Sequence, residues 1–107
     1  MRLEESVMMI QLDEKLKSYM EEHGHKDVVV DVHLCNTWGG TIKEISARFA
    51  EGEEKVLLQS GYESMETEMG KLYYHPRAVR FGKKVELGLG RFMWLKRINT
   101  RGIQAQA

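Results

Sequence analysis

Apolar and polar positions alternate most clearly in DVVVDVHLC, residues 27–35. Successive strand residues point to opposite sides, so Val28, Val30, Val32 and Leu34 share one face, and Val29, Asp31, His33 and Cys35 share the other. The period changes upstream. In EKLKSYMEEHG, Leu16, Tyr19, Met20 and His23 recur at i, i+3, i+4 and i+7, one stripe of a helix. Asp13 offers a carboxylate to the free N–H groups of a first turn, and Glu14 suits the positive end of the helix dipole. Gly24 stands where a left-handed C-cap belongs. The spacing predicts a helix over about 14–23, preceded by a short strand in VMMIQL (7–12).

Beyond the strong strand, NTWGG (36–40) is turn material, with Asn36, Gly39 and Gly40 able to take positive φ. Trp38 within it is expected to fill part of the core. TIKEISARFA (41–50) reads as the returning strand of a hairpin, and KVLLQS (55–60) as another strand. GYESMETEMG (61–70) reads as a mobile acidic loop with a turn at Gly70. KLYYHP is a strand stopped by Pro76. KKVELGLGRF sets Val85, Leu87 and Leu89 against Glu86, Gly88 and Gly90, which predicts a strand approached closely by other backbone or bent on its glycine side. FMWLKRINT is a last strand. Residues 1–6 and 103–107 are expected to fray. One helix followed by a run of strands predicts a mainly β α+β fold, a single domain over 1–107 with the helix covering one sheet.

Composition narrows the class. Among 107 residues Cys35 is the only cysteine, so no internal disulfide can form and a reducing cytoplasm is the expected location. No apolar run approaches the roughly 18 residues needed to cross a bilayer, and the N-terminus carries acids where a secretory leader is basic. The net charge of zero hides an asymmetry. Residues 1–70 hold 15 acids and 7 Lys/Arg, whereas residues 71–107 hold 9 Lys/Arg and a single acid, Glu86. Arg77, Arg80, Lys83, Lys84, Arg91, Lys96, Arg97 and Arg101 interleave with Tyr73, Tyr74, Phe81, Phe92 and Trp94. Such a face can meet nucleic acid or an acidic protein. Strands with apolar residues inside and charges outside give the same alternation, and the acidic first 70 residues would repel a phosphate backbone.

The candidate chemistry sits in Asp31, His33 and Cys35, followed by the turn Asn36, Trp38, Gly39 and Gly40. Neighbours on one strand face are about 6.6 Å apart, twice the strand rise. Imidazole and sulfur can therefore converge on one ion, and a neighbouring imidazolium favours the thiolate. A metal would want further ligands, from Asp31, His75 or a second chain. A homodimer with paired Cys35 residues would bring two thiolates and two imidazoles. The plain alternative is a small buried thiol beside a solvated His. Nucleophilic catalysis by Cys and His normally needs an orienting third group and an oxyanion hole, and the sequence offers neither, so a binding module is expected rather than an enzyme. His23 and His25 flank the helix end, where a protonated His is favoured.

The order of elements, with DVVVDVHLC, the glycine turn, GKLYYHPRAV and RFMWLKRINTRGI, resembles the HesB-like fold over nearly the whole chain from about residue 7. It is most similar to the small bacterial CC/Se motif family, a side branch of the A-type iron–sulfur carriers. The resemblance implies twisted mixed β-sheets with one N-terminal helix, and an iron–sulfur cluster or single metal as ligand. Cys35 would match the cysteine that follows the second main strand in the A-type carriers. The carriers' C-terminal Cys-Gly-Cys has no counterpart in NTRGIQAQA, and the side branch's Cys-Cys or Cys-selenocysteine pair is here Leu34-Cys35-Asn36. A cluster needs four ligands, usually thiolates, so one thiol per chain cannot hold one alone. The fold retained after loss of its cluster ligands is a further reading of the same residues.

Overall fold

The helix expected from the 3.6-residue stripe is present as α1 (Glu14–His23) in the computed structural model, which describes residues 9–92 and 95–106. The Asp13 carboxylate accepts from the Leu16 N–H at 2.8 Å, and Gly24 closes the helix at φ 72°. Leu16 and Met20 are completely buried where the helix packs on the sheet. Full burial of such a side chain contributes roughly 1.5–3 kcal/mol.

Seven strands follow the order β1-β6-β7-β3-β2-β5-β4 in one mixed sheet. They are β1 (Met9–Leu12), β2 (Val28–Thr37), β3 (Gly40–Phe49), β4 (Glu63–Glu66), β5 (Lys71–Tyr74), β6 (Val79–Phe92) and β7 (Leu95–Ala105). A second helix, α2 (Glu54–Gln59), precedes β4. β1 runs parallel to β6, and β2 parallel to β5; the remaining neighbours are antiparallel. The fold class is therefore the mainly β α+β arrangement anticipated. Val7 and Met8 lie outside the described residues.

The inner half of β2 is sandwiched. Val28 and Val30 join Leu16, Met20, Leu72, Val85 and Leu87 in the main core, while Val29 packs on the other side with Leu57 and Tyr73. The glycine side of β6 is approached closely, as its alternation predicted. A Cβ on Gly88 would lie 2.8 Å from the Asp13 carboxylate, because the chain entering α1 crosses there, with the Asp13 N–H bonded to the Leu87 carbonyl.

Four expectations are corrected. KVLLQS is not a strand: α2 covers Glu54–Gln59. A strand would send Val56 and Leu58 to one face; both stay exposed, and only Leu57 is anchored. A short apolar run does not distinguish the two periods. The acidic stretch 61–70 is not simply a loop, since β4 pairs with β5 from Glu63↔Tyr74 to Glu66↔Lys71. Met65 packs against the core and the acids flank it, so one apolar residue suffices to seat the strand. The tail does not fray at 103–106. Ile103 is buried, β7 runs to Ala105, and the Gln106 side chain donates to the Pro76 and Val79 carbonyls. Trp38 is fully exposed rather than in the core, because the hairpin carries it past the packed layers.

Candidate functional site

β2 pairs with β5 at Val28↔Leu72 and Val29↔Tyr73, while β3 meets β7 at Ala47↔Ile98. Beyond those points the two strands continue as a ribbon, in register from Asp31↔Ser46 to Thr37↔Gly40. This arm ends in a tight turn. The Thr37 hydroxyl donates to the Gly40 carbonyl and accepts from the Gly39 N–H, and the Thr41 hydroxyl donates to the Asn36 side chain. Of the turn's two glycines only Gly40 takes positive φ, at 122°. Leu34, Trp38 and Ile42 are exposed along the arm.

Asp31, His33 and Cys35 share a face of this ribbon, as the period of two required. His33 stands directly across from Glu44, and the Cys35 Sγ lies diagonally, 3.0 Å from the Glu44 carboxylate oxygen. The thiol donates and the carboxylate accepts. That hydrogen bond, reinforced by partial burial and by the carboxylate's charge, raises the Cys35 pKa above its ordinary value. The thiolate expected from a neighbouring imidazolium is thus opposed by an acid that the sequence did not single out. The signal for Glu44 was available only through register: a two-residue hairpin loop at Trp38-Gly39 places residue 44 opposite residue 33.

Asp31 has separate partners. Its Oδ1 accepts from the Tyr62 hydroxyl at 2.5 Å, and its Oδ2 lies 3.6 Å from Arg48 Nε. The bond to Asp31, helped by burial, pushes the Tyr62 phenol up to about 12. A cavity of about 390 Å³ opens beside this pair and is lined by Asp31, His33, Tyr62, His75 and Arg77, but not by Cys35. The strand thus splits its polar residues between a pocket and the arm. Among the described residues, no group of three or more His, Cys, Asp and Glu is gathered so that it could hold a metal ion. The described side chains of one chain therefore do not by themselves make up a complete metal or cluster site.

The basic residues of the C-terminal half behave as a solvated outer face. Arg80, Lys83, Lys84, Arg91, Lys96, Arg97 and Arg101 are exposed. Glu86 draws in Lys84 at 3.5 Å and Arg101 at 3.6 Å, and Arg80 bonds Gln104. The aromatics between them turn inward. Tyr73 is buried with its hydroxyl on Glu54, and Tyr74 and Phe81 pack edge to face at 4.9 Å. Trp94 and the Phe92 side chain lie outside the described residues. Around the helix end, His23 sits tilted against Tyr19 and His25 stacks on Phe49, each with ring centroids 4.2 Å apart.

Comparison with known proteins follows the same outline. The sequence profile of the CC/Se motif containing family matches residues 8–103. No curated protein matches significantly. Among solved structures, a crystal structure of Escherichia coli SufA, involved in biosynthesis of iron–sulfur clusters, is similar at 13% identity with a TM-score of 0.45; the match covers 88% of this chain and 80% of that one.

Proposed function

The chain belongs to the CC/Se motif containing family, and from that premise we propose that it is a binding module of HesB-like fold whose β2–β3 arm supplies half of a soft-metal or cluster-fragment site. Cys35 is the sulfur donor and His33 the nitrogen donor. A second copy of the chain completes the set, bringing two thiols and two imidazoles to one site, the four ligands that zinc or a small shared cluster needs. The observation that carries the reading is the placement of both donors on one face of a ribbon that runs beyond the packed core, where another molecule can reach them.

The experiment is anaerobic loading of the purified protein with zinc, or with iron and sulfide, for wild type and Cys35→Ser, read by metal analysis and sedimentation. The expected result is one metal or cluster per two chains, accompanied by dimer formation. Both are lost in Cys35→Ser, and zinc uptake is weakened roughly tenfold or more in His33→Ala, since each ligand contributes strongly to a site of only four. Equal uptake by wild type and Cys35→Ser, or uptake by a monomer at one per chain, overturns the proposal.

A further inference from the structure

The cavity beside β2 shares His33 with the arm but not Cys35, and its lining has a different chemistry. Two donor-bearing side chains, His75 and Arg77, come from the segment joining β5 to β6, and His33 comes from β2. The negative residue in the wall, Asp31, is already occupied on both oxygens, by the Tyr62 hydroxyl and by Arg48. Arg48 is also paired with Glu53. Among the described residues, Arg77 makes no ion pair.

The orientation of His75 is fixed from two sides. Its Nδ1 accepts from the Arg77 backbone N–H at 3.2 Å, so in the neutral ring the hydrogen sits on Nε2, which is left as a donor. The ring packs edge-on to Tyr62 at 5.5 Å. The Nε2 edge of the ring lies against Gly61, where a Cβ would stand 3.2 Å from Nε2. The rest of the wall is apolar, from Val30, Val32 and Ala78. An apolar floor with a few polar side chains at its rim is the form of a small-molecule pocket.

We propose that this cavity binds a small organic anion, whose carboxylate or phosphate head lies between the Arg77 guanidinium and the His33 imidazole, beside the fixed ring of His75, with its apolar part against Val32 and Ala78. Arg is suited to this role because its planar fork matches an oxyanion with two parallel hydrogen bonds. Both oxygens of Asp31 are engaged by the Tyr62 hydroxyl and Arg48, so they are turned to those partners and the head takes the Arg77 side of the cavity. The volume, about 390 Å³, lies at the small end of ligand pockets and suits a short ligand.

The test uses amide chemical shifts of the full chain, titrated at constant ionic strength with inorganic phosphate in one arm and butyrate in the other. The expected result is saturable shifts at Asp31–His33, Tyr62 and His75–Ala78, with dissociation constants on the order of 1 mM. Phosphate tighter than butyrate identifies the head as phosphate; butyrate tighter identifies a carboxylate with an apolar tail. Arg77→Glu is expected to weaken either ligand by roughly tenfold or more. His75→Gln provides a milder second variant, and Cys35→Ser is expected to leave the titration unchanged, which separates this site from the metal half-site. Shifts that never saturate, that persist equally in Arg77→Glu, or that appear instead at Lys83 and Lys84 overturn the proposal.

Discussion

Gly102→Ala is expected to lower the midpoint of thermal unfolding by about 10–20 °C. The reason lies in how β6 and β7 are joined. Their ladder pairs Phe81 with Ile103 and then Glu86 with Arg101. Four residues of β6, Gly82 to Val85, are therefore spanned by Gly102 alone on β7. The bulge closes because Gly102 adopts φ 91°, and a Cβ there would sit 2.2 Å from the Lys84 carbonyl oxygen. The obstacle is backbone, so no side-chain rotation relieves it. Positive φ costs an L-residue roughly 1–2 kcal/mol, and displacing the bulge adds at least as much, for a total of about 2–4 kcal/mol. In a domain of about 100 residues each kcal/mol shifts the midpoint by about 4–8 °C. Calorimetry or circular dichroism reads the change; a midpoint within about 3 °C of wild type would show that the bulge tolerates a methyl group. The same irregularity keeps Val85 and Leu87 facing the core while Ile103 reaches it from the far end of β7.

Much of this architecture was legible because the sequence states its periods plainly. The stripe Leu16–Tyr19–Met20–His23, with Asp13 before it and Gly24 after it, specified α1 to the residue. The alternation in 27–35 specified β2 and put Asp31, His33 and Cys35 on one face. Gly88 announced the crossing of Asp13 over β6. What was hidden was long-range. Whether Val56–Leu57–Leu58 coils or extends depends on a single docking place against Val29 and Tyr73, which no local pattern contains. Whether Trp38 is buried depends on where β2 outruns β5, a property of the partner strand. The candidate site divided for a similar reason. Cys35 belongs to the arm with Glu44, while His33 and Asp31 also face a cavity whose other wall, Tyr62, His75 and Arg77, is some 30 to 45 residues away in the chain.

Alkylation of Cys35 is expected to be slow at pH 7 and to accelerate about tenfold per pH unit without levelling off until above pH 9, the ordinary thiol value from which it is raised. The thiolate is the reacting form, and Glu44 opposes it in two ways: it accepts the thiol proton in a hydrogen bond, and its own negative charge disfavours a second one nearby. Glu44→Gln keeps the side chain's shape and a hydrogen-bonding oxygen but removes the charge, so the rate profile should move to lower pH. A Glu44→Gln profile identical to wild type, or a wild-type plateau near neutrality, contradicts the role assigned to Glu44. The sign for stability follows from the same shift. A group whose folded pKa is raised stabilises the fold fully below the unfolded value and loses that contribution as pH climbs through the folded value. The contribution of Cys35 is therefore fully present at neutral pH and is lost only in alkaline solution. Ligand binding at the arm carries the opposite dependence, because a thiol becomes a metal ligand only by giving up its proton. Zinc uptake is expected to strengthen as pH rises from 6 to 8 and to be tighter in Glu44→Gln at the low end of that range. Tighter zinc binding in wild type than in Glu44→Gln at pH 6 would contradict this competition between proton and metal at the half-buried thiol.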